Sequence, residues 1–104
     1  MLFRSTAFGK TTDQAGCMQE GLIRSKMFSQ LHILKSFELI NFEENCLKAS
    51  RQTANFCQET PKSYNPINRE WDFEQCHKAN LDEDKTDCGA IFLEQRRFCF
   101  KFHQ

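Results

Sequence analysis

Six cysteines in a chain of only 104 residues are the strongest constraint on how this sequence can fold. They stand at positions 17, 46, 57, 76, 88 and 99. An even number of cysteines in a small chain is typical of a disulfide framework when the compartment oxidises thiols. No Cys-x-x-Cys pair occurs, so a thioredoxin-type redox site and a zinc ribbon both lack their minimum parts. The sequence therefore predicts cysteines that serve as cross-links.

Residues that favour β-strands are scarce in this sequence. Valine is absent, and isoleucine occurs five times without any sustained alternation. Only four glycines and two prolines interrupt the chain, which leaves long stretches free to form helix. Hydrophobic residues make up 39% of the sequence, below the ~45–50% of ordinary globular chains. We expect one all-α, disulfide-stapled domain with a small core.

Charge and motif content limit the functions open to the chain. Basic and acidic residues both count 14, so the basic surplus of a nucleic-acid-binding domain is missing. No stretch approaches the ~20 apolar residues of a membrane-spanning helix, and neither a phosphate-binding glycine loop nor a Ser-His-acid arrangement is apparent. We expect a protein that is not an enzyme and holds no cofactor, no metal and no nucleic acid. One alternative is a zinc site with ligands from Cys76, His77, Cys88, Cys99 and His103.

The pattern along the chain predicts four segments. Residues 1–17 contain two glycines and several hydroxyl residues, which favours an irregular arm. The basic, acid-free start of this arm also has the composition of a mitochondrial targeting segment, so the arm is either that or a plain polar extension. Residues 18–57 are expected to form a helical extension, residues 58–65 a turn-rich linker, and residues 66–104 a helical hairpin.

Within the extension, apolar residues recur at helical spacing from Met18 to Phe42 and occupy more than one face. We interpret this stretch as one amphipathic helix that packs either in an ordinary core or against a large partner. Phenylalanines are also spread around the end of the last helix, where a small hairpin cannot bury all of them. The residues expected to contact a partner are Ile23, Met27, Leu31, Leu34, Phe98, Phe100 and Phe102.

Cysteine spacing limits how the hairpin can be cross-linked. Cys88 and Cys99 lie 11 positions apart, on one face of a helix but ~16 Å from each other, so each must bond to another segment. Cys46 and Cys57 have the same spacing, which allows an antiparallel ladder of Cys46–Cys99 and Cys57–Cys88. A bond between Cys76 and Cys88 is also allowed, because these two residues flank a short acidic loop.

One stretch of the sequence resembles a known family. It reads Trp71-Asp-Phe-Glu-Gln-Cys76-His-Lys-Ala, followed by an eight-residue polar loop, Cys88, ten residues and Cys99. This run is similar to the mitochondrial coiled-coil-helix-coiled-coil-helix (CHCH) family, in the form found in subunit VIb of cytochrome c oxidase. The resemblance covers about residues 65–100, and the upstream sequence matches nothing recognisable.

The resemblance implies a disulfide pattern, with one departure from the family. It implies an inner bridge between Cys76 and Cys88. Pro66 stands where the first family cysteine should be, so Cys99 loses its usual partner. Cys57, just before the linker, is the nearest replacement and is the expected partner of Cys99.

The resemblance also implies a cellular setting, because family members work in the mitochondrial intermembrane space. There they dock on respiratory complexes or help to assemble them. The implied function is a structural accessory subunit, peripheral to the inner membrane, on the intermembrane-space side of a respiratory-chain complex, with cytochrome c oxidase favoured. The alternatives are a soluble assembly factor, a metallochaperone, or a subunit of complex I or ATP synthase. The sequence leaves open the pairing of Cys17 and Cys46.

Overall fold

Five α-helices make up the regular structure of residues 5–28 and 34–102, the part of the chain that this computed structural model describes. Three disulfides link the helices and the long connection between them. The expected fold class, an all-α and disulfide-stapled domain, is therefore confirmed. The helices are α1 (Ser5–Gly9), α2 (Gln14–Phe28), α3 (Leu34–Ala49), α4 (Glu70–Lys78) and α5 (Cys88–Phe102).

α5 occupies the centre of the fold. α2, α3 and α4 all pack against it, and α1 packs on α3. An ordinary surface helix buries one apolar stripe, whereas 8 of the 15 residues of α5 are buried. Both apolar clusters of the core include α5 residues, with Phe98 in one and Ile91 in the other.

The single helix expected from Met18 to Phe42 is not what the chain forms. α2 ends at Phe28 and α3 begins at Leu34. Cys17 and Cys46 are bonded, with their Cα atoms 5.8 Å apart, although one continuous helix would separate them by about 43 Å. α2 and α3 therefore form an antiparallel hairpin. The apolar residues on more than one face belong to two helices that pack on each other and on α5.

The start of the chain is not the irregular arm that its composition suggested. Its described part, residues 5–17, contains α1 and the beginning of α2. The carboxylate of Asp13 accepts a hydrogen bond of 2.9 Å from the amide of Gly16, which caps α2. That bond is the main reason why the pKa of Asp13 lies below its usual value. Gly9 lets α1 approach α3 closely, since a Cβ there would lie 2.8 Å from the carbonyl oxygen of Cys46.

The connection between α3 and α4 covers residues 50–69 and is longer than the expected linker at 58–65. Pro66 lies inside it and not in the first turn of a helix. The beginning of the connection is fastened to the start of α2, where the amide of Gln14 donates a 2.9 Å hydrogen bond to the carbonyl of Arg51. The connection is thus part of the folded body.

α4 ends in a Schellman turn that sends the chain back towards α5. Asn80 adopts a positive φ of 61°, a conformation that asparagine tolerates better than most residues. Its amide donates to the carbonyl of His77 (3.0 Å), and the amide of Leu81 donates to that of Cys76 (2.9 Å). The turn places Cys76 within bonding reach of Cys88, at a Cα separation of 5.9 Å. This is one of the pairings that the spacing allowed and the one that the family resemblance implied.

The third disulfide joins Cys57, in the connection, to Cys99 near the end of α5, with Cα atoms 5.6 Å apart. This is the pair expected from the departure at the family cysteine. The alternative ladder does not form, because Cys46 is bonded to Cys17. All six cysteines lie within the described residues and none is free, so the zinc alternative has no thiolate to offer.

The Cys17–Cys46 bond should contribute strongly to stability. It spans 29 positions, and a closed loop of that length corresponds to about 3.5 kcal/mol in the chain-entropy account. We expect the double variant Cys17→Ser/Cys46→Ser to lose about that much free energy of unfolding in urea, followed by circular dichroism under non-oxidising and non-reducing conditions. Unchanged stability would show that the two cysteines are not bonded in the folded protein.

Candidate functional site

The described residues among those expected to contact a partner are exposed on α2, exposed at the end of α5, or buried. Ile23 and Met27, one turn apart on α2, are 51% and 64% exposed. Phe100 and Phe102, at the end of α5, are 52% and 46% exposed. Leu31 lies outside the described residues. Leu34 is the first residue of α3, but its side chain is also outside the described part.

Phe98 is buried, so its expected role in partner contact is wrong. Only 9% of its surface is accessible, and it belongs to the core cluster that surrounds the Cys57–Cys99 bond. Its ring meets Phe56 edge-on at 6.3 Å and lies 4.8 Å from the ring of Phe102. The reason is that this side of α5 packs against α3, a contact that exists only because α3 folds back on α2.

Three exposed apolar side chains lie on the α2–α3 hairpin, and we call them together the hairpin patch: Ile23, Met27 and Phe37. Phe37 is 66% exposed, although it was not among the residues expected to contact a partner. The hairpin is antiparallel about the Cys17–Cys46 bond, so Met27 and Phe37 lie at the same end of it, away from the disulfide. A large apolar residue just beyond the start of α3 was the available signal, but the single-helix interpretation hid it.

The second exposed surface is the end of α5, and we call its aromatic residues the C-terminal rings: Tyr64, Phe100 and Phe102. Tyr64 comes from the connection and stacks on Phe100 with ring centroids 5.5 Å apart. Phe102 lies on another side of the helix, beside an open groove of about 820 Å³ between α3 and α5. Leu47 and Phe98 line the same groove together with polar side chains from α2, α3 and the connection, so its lining is mixed: Gln14, Lys48, Ser50 and Gln52.

A buried ion pair fixes the connection beneath these rings. Asp72 on α4 is completely buried, and its two oxygens accept hydrogen bonds of 2.7 and 2.9 Å from Arg96 on α5. Arg69 donates a third bond of 2.6 Å to the same carboxylate. Arg96 also donates to the carbonyls of Asn65 (3.1 Å) and Asn68 (3.0 Å). Charge-assisted bidentate bonds of this kind hold a geometry firmly, so the segment that carries Tyr64 is positioned by α4 and α5.

A second polar group in the core has no such partners. Glu43 on α3 is completely buried, and neither of its carboxyl oxygens has a hydrogen-bond partner among the described residues. The carboxyl group lies against Gly21 of α2, next to Ile91 of α5, and a Cβ on Gly21 would overlap it. Burial, and then the charge of Glu94, raise the pKa of Glu43 well above its usual value.

Glu94 on α5 is the other acid in this interface. It is 6% exposed, and burial raises its pKa, opposed in part by Arg97 at 3.5 Å. Burial thus raises the pKa of both carboxyl groups, that of Glu43 more strongly than that of Glu94. Nothing in the local sequence distinguishes them from solvent-facing glutamates, because their burial follows from the packing of three helices.

Two further features concern metals and membranes. Among residues 5–28 and 34–102, no group of three or more histidine, cysteine or acidic side chains is placed to hold a metal ion. His77 instead pairs with Glu83 at 2.6 Å. Of the five described helices, none has the length and apolar character needed to cross a bilayer.

Comparison with known proteins gives no relative from which function could be transferred. No protein family, curated protein or solved structure matches this chain. Its function must therefore be argued from its own residues.

The buried ion pair should be sensitive to the loss of Arg96. We expect Arg96→Met to lower the free energy of unfolding by about 3 kcal/mol, because removal of one partner strands a buried charge, and Arg69 leaves Asp72 one remaining cation. Lys48→Met is the matched control, since the side chain of Lys48 is 45% exposed and forms a surface ion pair with Glu44 worth less than about 1 kcal/mol. Urea unfolding of the oxidised proteins measures both. Equal losses in the two variants would contradict the role of the ion pair.

Proposed function

We propose that this chain is a non-catalytic structural subunit that docks on a larger protein assembly in a compartment that oxidises thiols. The observation that carries the proposal is the exposure of large apolar side chains at two defined places, the hairpin patch and the C-terminal rings. Grouped apolar residues on a surface are typical of protein interaction sites. Aromatic residues and methionine, which dominate both surfaces, are also the residues enriched at interfaces.

The framework beneath these surfaces suits docking. Three disulfides and the Asp72–Arg96 ion pair hold helices and connection together. A surface that is ordered before binding loses less conformational entropy when the partner arrives. The stacked rings of the half-buried Tyr64 and the exposed Phe100 are presented by such fixed elements, the connection and the end of α5.

The specific setting that we propose is the mitochondrial intermembrane space. There the chain would be an accessory subunit, peripheral on the inner membrane, of a respiratory-chain complex, with cytochrome c oxidase favoured. The proposal is supported by the sequence resemblance over residues 65–100 and by the pairing of Cys76 with Cys88 across the turn between α4 and α5. One feature departs from the family pattern, because the second bridge of α5 reaches Cys57 in the connection and not a cysteine of α4.

The alternatives differ in how firmly the chain is held by a complex. A soluble assembly factor or metallochaperone binds transiently, whereas an accessory subunit stays with its complex in fixed proportion. Complex I and ATP synthase are the other candidate hosts. Subcellular fractionation and native electrophoresis separate all of these possibilities in one experiment.

We expect the tagged full chain to fractionate with mitochondria and to co-migrate in stoichiometric amount with one respiratory complex after mild detergent extraction. The double variant Ile23→Ser/Met27→Ser should reduce this co-migration at least about tenfold, because it removes apolar contacts of the hairpin patch. Ile67→Ser is the matched control, since Ile67 is 86% exposed but belongs to neither surface. Recovery of the chain only as free protein would favour a soluble factor, and recovery outside mitochondria would reject the proposed setting.

A further inference from the structure

The interface between the α2–α3 hairpin and α5 combines an apolar contact with an unpaired acid. Met18 of α2 and Leu39 of α3 pack with Ile91 and Phe92 of α5 in one core cluster. Glu43 lies in the same interface, next to Ile91. Neither carboxyl oxygen of this acid has a hydrogen-bond partner among the described residues.

The buried position of Glu43 favours a neutral carboxyl group over a carboxylate. A buried charge without hydrogen bonds or a counter-ion is among the most costly arrangements in a protein interior. Gly21 leaves no space beside the carboxyl group, because even a single Cβ there would overlap it. When Glu43 loses its proton, the helices around it must therefore move to admit water.

The charged groups around this acid come from all the helices that meet there. Arg24 of α2 is shared among several groups and is not a counter-ion for Glu43 only. It forms a 3.0 Å ion pair with Glu20, and its guanidinium group lies 4.1 Å from the centre of the Phe42 ring. On α5, Arg97 is shared between Glu94 and Glu44 of α3. The charged groups that act on Glu43 or on its neighbour Glu94 are Glu20 and Arg24 from α2, Glu44 from α3, and Glu94 and Arg97 from α5.

The covalent connections allow the hairpin to move as a unit. The Cys17–Cys46 bond lies within the hairpin, and Cys76–Cys88 lies within the α4–α5 pair. The only covalent path from the hairpin to α5 that does not pass through α4 runs through the beginning of the connection and the Cys57–Cys99 bond. Opening of the interface at Glu43 therefore breaks no disulfide.

We propose that Glu43 is a proton-operated latch between the α2–α3 hairpin and α5. With its proton, the carboxyl group stays in the interface and the hairpin is closed. When the proton passes to solvent, the hairpin swings away about residues 50–57 and uncovers the apolar face of α5 around Ile91 and Phe92. This device is a property of the chain itself and does not depend on which assembly, if any, the chain joins.

The direction of the pH dependence follows from proton linkage. The pKa values of Glu43 and Glu94 are raised in the closed form, whereas in an open or unfolded chain they return towards the ordinary value of about 4.3. The closed form then binds more protons, so its stability is greatest below the ordinary pKa and falls as the pH rises through the raised one. Asp13 acts in the opposite sense, because its pKa is lowered in the folded protein. Its ionised carboxylate stabilises the fold above the ordinary pKa, and this stabilisation is lost as the pH falls through the lowered pKa.

Trp71 is a built-in probe of the latch, because it is the only tryptophan and packs edge-on against Phe92 at 6.1 Å. We expect the emission of the oxidised full chain to shift to longer wavelength as the pH rises from 4.5 to 9. Glu43→Gln should abolish the shift. Glu94→Gln should move the midpoint of the shift to lower pH, since a like charge that raises the pKa of Glu43 is removed.

His77→Gln is the control, because His77 lies on the helix that carries Trp71 and pairs there with Glu83. It should keep the shift. Hydrogen exchange, corrected for the intrinsic effect of pH, should show that α2 and α3 lose protection with rising pH while α4 and α5 retain it. An absent shift, a shift that survives Glu43→Gln, a midpoint that Glu94→Gln does not lower, or a uniform loss of protection would each overturn the latch.

Discussion

The packing of three helices on α5 is the constraint on which the rest of the structure depends. α5 is buried on several sides, and two of the three disulfides end on it, at Cys88 and Cys99. Because a chain of 104 residues can bury only a limited apolar surface, this central helix must supply contacts to both core clusters. The hairpin, the connection and α4 are each positioned by what they meet on it.

A helix buried on so many sides brings polar residues inside with it, and the protein resolves this in two ways. Arg96 is fully compensated, because Asp72 and the carbonyls of the connection take up its donors. Glu94 is compensated only in part, by Arg97, whereas Glu43 has no hydrogen-bond partner among the described residues, so burial raises the pKa of its carboxyl group. The first arrangement makes the fold rigid, while the second makes one interface depend on pH.

The rigid and the responsive parts have different relations to the exposed surfaces. The C-terminal rings are carried by α5 and by the segment that Arg96 holds, so they keep their geometry whatever happens to the hairpin. The hairpin patch around Met27 and Phe37 lies on the element that the latch would move. A partner that contacted both surfaces would therefore be sensitive to the state of Glu43.

The sequence by itself determined the local structure: the all-α class and a helical pair around the acidic loop, since residue spacing acts within a few turns of chain. It allowed the bond between Cys76 and Cys88 as one of two arrangements, and the structure selects it. Tertiary structure alone decided that α3 folds back on α2. The apolar spacing continues through this reversal, and no glycine or proline stands between Phe28 and Leu34 to indicate it. Tertiary structure also decided the burial of Phe98 and the isolation of Glu43. These features depend on which helix faces meet, and a periodic pattern specifies that a face is apolar without specifying what covers it.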